Sequence, residues 1–350
     1  MDVNPSPSPG FPHPVTDVLR KREEEDSQPG ERNDPYRVAL VVEGGGMRGV
    51  VSAGMAAVLE RLGLTRCFDL VVGSSAGAIN GAALIAGVAR HGAATYSGPL
   101  ASRAFVNPAR VLRGGPVIDV DYALRYTSAD LDAARHERVL NNPIALHCVA
   151  VNVETAQPVD ISGMRSKHEL WKALLASSRM PWAGGPPVEI AGRRFIDGGI
   201  GSAIPVAEAL AAGATHVLAL QTRPHGVPRK SASRIGDRLI ERHLRRLNPT
   251  LVTLYRDRVA GYESVVTDIA RRSRHPEAGP PHVLGVRPPA GTAVVGQLER
   301  QPAVLAAAAT DAERLMEQTL RHAARAQPSS SAATRSTSSS ATSTRTSTSP

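Results

Sequence analysis

The feature that most constrains the fold is a glycine-serine pentapeptide, Gly73-Ser74-Ser75-Ala76-Gly77, placed between an apolar run and a helical pattern. The apolar run over 69–72 predicts a buried strand, and the pattern over 76–89 predicts a helix. A serine on a sharp strand-to-helix turn has its hydroxyl exposed at the end of the strand, near the positive end of the helix dipole. The spacing therefore predicts a nucleophile elbow with Ser75 at its tip.

Short apolar runs alternate with longer helical patterns along most of the chain. The predicted strands are 38–42, 69–72, 145–153, 195–196, 215–220 and 282–286. The predicted helices are 50–62, 76–89, 167–178, 207–212, 235–247, 250–274 and 297–325. Strands that are apolar along their whole length are buried on both faces, so the pattern predicts an α/β fold with a mostly parallel sheet and helices on both faces.

The two ends of the chain differ in composition from its middle. Residues 1–35 contain seven prolines and have a net charge of −4, and sixteen of the twenty-three residues over 328–350 are serine or threonine. Neither end has enough apolar surface to offset the entropy lost on ordering, so we expect both to be disordered. The part between them, 36–327, has no obvious linker or repeat and is predicted to be one domain.

A second glycine-rich segment, Gly44-Gly45-Gly46-Met47-Arg48-Gly49, follows the first predicted strand. Its glycines fit the dinucleotide fingerprint, and Asp69 stands about where the ribose-binding acid would be. More generally, such a turn aims N–H groups at a phosphate or an oxyanion, or it is a tight turn without a ligand. A dinucleotide site leaves the serine pentapeptide unexplained. We therefore favour an oxyanion loop and interpret Asp69 as an ordinary strand-start residue.

A serine hydroxyl is a weak nucleophile and needs a base within hydrogen-bond reach. The segment Asp197-Gly198-Gly199 ends a short predicted strand, and although such a segment is commonly only a turn, its carboxylate could be that base. A Ser–His–Asp triad is the alternative. The histidines that follow Asp197 lie in strands or in basic or polar stretches: His216, His225, His243, His275, His282 and His322.

These three motifs, in this order, resemble those of the bacterial patatin-like phospholipases, a family of serine acyl hydrolases. The likeness extends through residues 68–81 and 176–181 to Pro205, and it covers about 38–290 of this sequence. The resemblance implies a three-layer sandwich of patatin type, and it implies that the glycine loop, the elbow and the Asp197 turn meet at one site.

The resemblance also implies a role for each motif residue. Ser75 would be the nucleophile and Asp197 its general base, in a dyad without histidine. The N–H groups of Gly45, Gly46 and Met47 would form the oxyanion hole. The remaining motif glycines are Gly44, Gly49, Gly73, Gly77, Gly198 and Gly199.

Two neighbouring residues complete the comparison with the family. Glu43 stands where the family often has aspartate, and Arg48 is the usual basic residue, which we expect to orient the loop. No cluster of metal ligands is evident in the sequence, and the dyad requires neither a metal nor a cofactor.

The function implied by the resemblance is that of a lipid acyl hydrolase of the phospholipase A type, which cleaves carboxylic esters through an acyl-enzyme on Ser75. Two alternatives stay open: a carboxylesterase acting on small soluble esters, and a non-catalytic lipid-binding scaffold. The stretch over 95–126, which mixes apolar residues with glycine and proline, is a candidate lid or pocket wall.

The net charge of +9 is concentrated in one segment, 223–274, which has 13 basic and 5 acidic residues. Apolar residues recur there at helical spacing. We favour a helix that packs on the sheet with its arginines in solvent; peripheral binding to an anionic membrane is the alternative. No aromatic platform or motif predicts nucleic-acid binding.

The sequence has neither a run of about 18 apolar residues nor an N-terminal apolar stretch of the secretory type. We therefore expect a soluble, cytoplasmic protein, with peripheral membrane contact as the open alternative.

Overall fold

The computed structural model describes residues 13–128, 133–229 and 234–325. At its centre is one mixed sheet with the strand order β5-β6-β3-β2-β1-β7-β8, in which β4 pairs with β3 off this path. The strands are β1 (Val38–Val42), β2 (Leu70–Ser74), β3 (Ala145–Asn152), β4 (Gln157–Ile161), β5 (Val188–Ile190), β6 (Arg193–Asp197), β7 (His216–Leu220) and β8 (His282–Val286).

The five strands β3, β2, β1, β7 and β8 run parallel, whereas β4 and β6 are antiparallel to β3. The predicted α/β fold with a mostly parallel sheet is therefore confirmed. Sequence analysis missed β4 and β5 for a physical reason. Strand β4 is partly exposed and β5 has three residues, so neither forms the continuous apolar run that marks a buried strand.

Helices cover both faces of the sheet. They are α1 (Pro14–Glu24), α2 (Val50–Arg61), α3 (Ala76–Ile85), α4 (Ala89–Ser97), α5 (Val120–Ser128), α6 (Ala133–Leu140), α7 (Lys167–Ser178), α8 (Val206–Ala211), α9 (Arg234–Leu247), α10 (Thr250–Arg274) and α11 (Pro302–Arg325). The helix predicted over 76–89 is interrupted at Gly87, which adopts a φ of +69°. Sequence analysis missed α1, α4, α5 and α6.

The buried residues of β1 show how the layers are divided. Val38, Leu40 and Val42 pack with α2, α3, α4, α7 and α11. Ala39 and Val41, which point to the other face, pack with α8 and α10. Because side chains alternate along a strand, one five-residue strand contributes to two cores, and the molecule has three layers.

The chain before β1 is ordered from residue 13 onward, and the prediction that 1–35 is disordered is wrong for residues 13–35. Helix α1 buries Val15 and Leu19 in the main core. Residues 1–12 and the serine/threonine tail at 328–350 lie outside the described residues. The domain therefore includes α1, which precedes the predicted start at 36.

A buried arginine in α1 explains why composition misled the prediction. The Arg22 side chain is fully buried and bonds both carboxylate oxygens of Asp34, one oxygen of Asp69, and the carbonyls of Tyr36 and Cys67, each at 2.8 Å. Asp69 also accepts the N–H of Val38, the first residue of β1, at 2.7 Å. Residues whose composition suggests a solvated, charged extension thus form a hydrogen-bond network at the amino ends of β1 and β2. Asp69 connects Arg22 of α1 to the start of β1 in this network.

We predict that Arg22→Met lowers the free energy of unfolding by about 3–5 kcal/mol, because it removes a fully buried cation, leaves the partly buried Asp34 without its ion pair and leaves Asp69 with Arg32 alone. Lys21→Ala on the same helix is the matched control. Lys21 forms an exposed pair with Glu25, so its loss should cost less than about 1 kcal/mol. Urea denaturation measures both variants, and equal losses would contradict the proposed importance of the buried network.

Candidate active site

Two strands end opposite each other on the same edge of β3, and their ends define the site. On this edge the last residue of β2, Ser74, pairs with Val149 of β3. The last residue of β6, Asp197, pairs with the next residue of β3, Ala150. The other edge of β3 is occupied by β4 over the same residues. Strands β2 and β6 run in opposite directions and stop on neighbouring rungs. This arrangement brings Ser75 beside Asp197 although they are 122 residues apart in sequence.

Ser75 lies on a sharp turn between β2 and α3, with φ +55° and ψ −128°. A positive φ in a residue other than glycine costs on the order of 1–3 kcal/mol and persists only where the surroundings hold it. Gly77 makes the turn sterically feasible, because a Cβ at that position would lie 2.1 Å from the carbonyl oxygen of Val42. This strand–turn–helix geometry is that of a nucleophile elbow.

The Ser75 hydroxyl donates a hydrogen bond to Oδ2 of Asp197 at 2.8 Å, and the N–H of Gly199 donates to Oδ1 at 2.7 Å. Both side chains are buried. Burial raises the pKa of Asp197 from 3.8 to about 6, while the bonds from Gly199 and Ser75 oppose the rise by favouring the ionised form. At neutral pH the group is a carboxylate, and it is more basic than an exposed aspartate.

Ser177 on α7 holds the elbow, and sequence analysis assigned it no role. Its hydroxyl accepts the N–H of Ser75 at 2.9 Å and donates to the carbonyl of Val149 at 2.6 Å. Ser177 thus connects the candidate nucleophile to Val149, the residue of β3 that pairs with the last residue of β2. Ser177 lies within 176–181, which resembles the family, but a side chain that bonds only main-chain atoms leaves no spacing signal from which its role could be assigned.

The predicted oxyanion loop packs against the elbow, since a Cβ at Gly44 would lie 2.9 Å from that of Ser75. Gly45 has a φ of +146° and Gly46 a φ of +60°. Within the described part of the chain, the N–H groups of Gly45 and Gly46 have no protein acceptor. The N–H of Met47, in contrast, donates to the carbonyl of Gln297 at 3.1 Å. Because that donor is occupied, the prediction of Met47 as an oxyanion-hole donor is corrected.

Glu43 and Arg48 flank the glycine loop, and both form hydrogen bonds with residues later in the chain. Glu43 is buried and accepts the N–H of Thr222 at 2.6 Å and the hydroxyl of Tyr262 at 3.1 Å. Arg48 is also buried and donates to Oγ1 of Thr222 at 3.2 Å. Burial and the nearby charge of Arg223 lower the pKa of Arg48 to about 10, so its guanidinium stays charged at neutral pH.

A cavity of about 320 Å³ opens above the dyad, at the carboxyl ends of β1 and β2. Its apolar wall is formed by Val117, Met180, Trp182, Ile240 and Leu298. A narrower recess adjoins Ser75 and Asp197, and most of its apolar wall comes from the stretch predicted as a lid or pocket wall: Tyr96, Leu100, Phe105, Ile118, Val120 and Ala123. A mostly apolar cavity with a few convergent polar groups is typical of a small-molecule or lipid site.

Neither the cavity nor the recess has a histidine among its described lining residues. His216 and His282 are the first residues of β7 and β8, at the end of the parallel strands opposite to Ser75. No described group of three or more His, Cys, Asp or Glu side chains is arranged to hold a metal ion. The geometry thus joins Ser75 directly to a carboxylate and gives no support to a triad.

Comparison with known proteins agrees with the motifs. Residues 40–210 match the family model described as patatin-like phospholipase. The chain carries a patatin-like domain. The family indicated by the three motifs is thereby confirmed, and the mixed sheet with flanking helices is consistent with it.

Individual proteins are also similar to this chain. The uncharacterized protein YjjU of Escherichia coli (strain K12) is 33% identical over 195 residues, which cover 54% of this chain and 53% of YjjU. This patatin-like chain thus spans about half the length of that relative. The crystal structure of VipD from Legionella pneumophila is 13% identical with a TM-score of 0.39, and the match covers 82% of this chain and 66% of VipD. A likeness this weak supports no inference.

We predict that Asp197→Asn stabilises the fold by about 2–3 kcal/mol at pH 7.5, because it removes a desolvated carboxylate. The folded-state pKa of about 6 lies above the ordinary value of 3.8, so the destabilisation by the wild-type carboxylate is complete above about pH 6 and disappears near pH 4. Urea denaturation at pH 4.5 and 7.5 should therefore show a larger gain at pH 7.5. Ser75→Ala, the comparison variant, keeps the carboxylate and loses a bond that lowers its pKa, so its pH dependence should be at least as large as that of wild type. An equal gain for Asp197→Asn at both pH values would contradict the prediction.

Proposed function

We propose that this protein is a lipid acyl hydrolase that cleaves carboxylic esters with Ser75 as nucleophile and Asp197 as general base. The single observation that carries the proposal is the 2.8 Å hydrogen bond from the Ser75 hydroxyl to Oδ2 of Asp197. Ser75 lies on an elbow with a positive φ, beside two glycine N–H groups that have no acceptor among the described residues. Membership of the patatin-like family supports the reaction class.

The mechanism follows from these contacts. Asp197 accepts the Ser75 proton as the hydroxyl oxygen attacks the ester carbonyl. The N–H groups of Gly45 and Gly46 bind the oxyanion, and losing one such donor typically costs about 10²–10³ in rate. The leaving alcohol takes the proton from Asp197, and water then hydrolyses the acyl-enzyme by the reverse steps. The bond from Gly199 keeps Oδ2 turned toward Ser75 throughout.

Lipid is the proposed substrate class because of the walls around the dyad. The recess beside Ser75 is lined mostly by apolar side chains, which suit an acyl chain. A carboxylesterase for small soluble esters would use the same dyad, and a longer acyl chain would then give no gain in kcat/KM. A non-catalytic scaffold would show no turnover that depends on Ser75.

We predict that Ser75→Ala and Asp197→Ala each lower kcat for a p-nitrophenyl ester by a factor on the order of 10⁴, because nucleophile and base act as one unit. Hydrolysis is followed by absorbance, and Ser162→Ala, which changes an exposed serine, is the matched control and should keep wild-type turnover. Substantial turnover by either dyad variant would refute the assignment.

The pKa of Asp197 predicts a pH profile. The base must be ionised to accept the Ser75 proton, so kcat/KM should be level above about pH 6 and fall about tenfold per pH unit below it. The profile is measured with an uncharged ester between pH 4 and 8 in buffers of constant ionic strength. An acid limb centred near pH 4, or a flat profile, would rule out a buried Asp197 as the base.

Contact with a lipid surface is a separate part of the proposal. The apolar side chains that recur at helical spacing along α9 form a stripe that is only partly buried. Leu244 is buried, whereas Ile235 is 72% exposed and Leu239 is 44% exposed. Trp182 and Leu298, which line the cavity, are also exposed. Arginines flank the stripe, so α9 has the character of a basic amphipathic helix that binds peripherally to an anionic membrane. No helix in the described segments is long and apolar enough to span a bilayer.

We predict that the double variant Ile235→Ser, Leu239→Ser binds phosphatidylglycerol vesicles roughly ten- to a hundredfold more weakly, because two apolar side chains no longer leave water on binding. Co-sedimentation measures the partition coefficient. Leu62→Ser, which replaces a similarly exposed leucine at the end of α2, is the matched control and should bind as wild type does. If the double variant binds like Leu62→Ser, α9 is not the lipid-binding surface.

A further inference from the structure

Four arginines line the cavity above the dyad: Arg48, Arg223, Arg229 and Arg258. Arg258 forms an ion pair with Asp237 at 3.0 Å, and Arg48 lies under the glycine loop. Among the described residues, no carboxylate lies within ion-pair distance of the Arg223 or Arg229 guanidinium. Arg48 also has no carboxylate at ion-pair distance among the described residues, but its guanidinium lies against Gly45 of the loop and donates to Thr222. Arg223 and Arg229 are therefore the two cations of the cavity that have neither an ion pair nor a place against the loop.

Arg223 is the more unusual of the two. Its side chain is 8% exposed, and its Nε is buried without a hydrogen-bond partner in the part of the chain that the structure describes. A guanidinium is charged at any physiological pH, and burying a charge without a partner is costly. Arg223 also lines a shallow outer cleft formed by residues 294–301. It thus stands where the catalytic cavity meets the surface, and a ligand entering there can reach it.

Arg229 is the second cation, and it lies beside the dyad. It donates from Nη2 to the carbonyl of Gly199 at 2.8 Å, within the turn that orients Asp197. The Arg223 and Arg229 guanidinium carbons lie 5.8 and 5.6 Å from the centre of the Tyr262 ring, so one aromatic side chain positions both. Burial, followed by the charges of Arg258 and Arg223, lowers the pKa of Arg229, as expected where cations face one another.

We propose that Arg223 and Arg229 bind the phosphate of a phospholipid while its ester carbonyl lies at Ser75. The inference rests on the proposed function and extends it, because it states that the cavity selects phosphate-bearing esters over neutral ones. Guanidinium groups match phosphate oxygens in shape and charge and form charge-assisted hydrogen bonds with them. A neutral acylglycerol would displace water from Arg223 without placing a negative charge beside the guanidinium.

The test compares Arg223→Gln with wild type on two short-chain lipids below their critical micelle concentrations, so that binding to a lipid surface plays no part. The lipids are dihexanoylphosphatidylcholine and dihexanoylglycerol, which carry the same acyl chains. We expect the ratio of kcat/KM for the phospholipid to that for the glyceride to fall roughly ten- to a hundredfold, the effect of a lost charge-assisted hydrogen bond. Arg223→Lys should restore part of the ratio, because it keeps the charge.

Arg90→Gln, which removes an exposed arginine of α4, is the control for net charge and should leave the ratio unchanged. An unchanged ratio in Arg223→Gln, or an equal loss on both lipids, would overturn the phosphate subsite.

A binding measurement separates failure of the subsite from failure of the proposed function. If wild type hydrolyses neither lipid, the proposed function fails, and the subsite is then tested by calorimetry on the Ser75→Ala protein. Binding of dihexanoylphosphatidylcholine should be stronger than that of dihexanoylglycerol and should weaken in Ser75→Ala, Arg223→Gln; equal Kd values would refute the subsite. Inorganic phosphate is the third ligand. If it binds as tightly as the phospholipid and depends equally on Arg223, the site holds free phosphate and the substrate proposal is wrong.

Discussion

Everything at the candidate site depends on one edge of β3 being shared by two strands. Strand β2 arrives parallel to β3 and stops at Ser74, and β6 arrives antiparallel and stops at Asp197. Because the two ends face each other on adjacent rungs, a hydroxyl and a carboxylate meet without an intervening imidazole. Ser177 fixes the junction through the Val149 carbonyl. The sheet therefore performs the positioning that a third side chain performs in a triad.

Locally unfavourable groups are concentrated around this junction. Ser75 has a positive φ, Asp197 is a desolvated carboxylate, and Arg223 is a buried cation without a carboxylate partner among the described residues. Strand β1 in the middle of the sheet is aliphatic, in contrast, and all five of its residues are buried. Such a contrast is expected where binding and catalysis, rather than stability, determine the choice of residue.

Sequence predicted the parts of the fold that local pattern determines. Predicted bounds agree with the structure for β1, β8, α7 and α10, and the motifs located Ser75, Asp197 and the glycine loop. Pattern could not show which strands share an edge, because pairing across 122 residues depends on the whole sheet. It also could not distinguish buried from solvated charge: the composition around Arg22 suggested disorder, yet the Arg22 side chain is fully buried.

The N–H of Met47 donates to the carbonyl of Gln297, so the glycine loop depends on a residue far along the chain. The family match ends at residue 210, yet the glycine loop is held by groups that come later in the chain: Thr222 and Tyr262 on Glu43, and the Gln297 carbonyl on Met47. Residues 40–210 therefore do not contain all of the contacts that hold the loop. The conformation of the loop also depends on later residues that carry none of the motifs, so an identical set of motifs does not ensure that the loop is held in the same way.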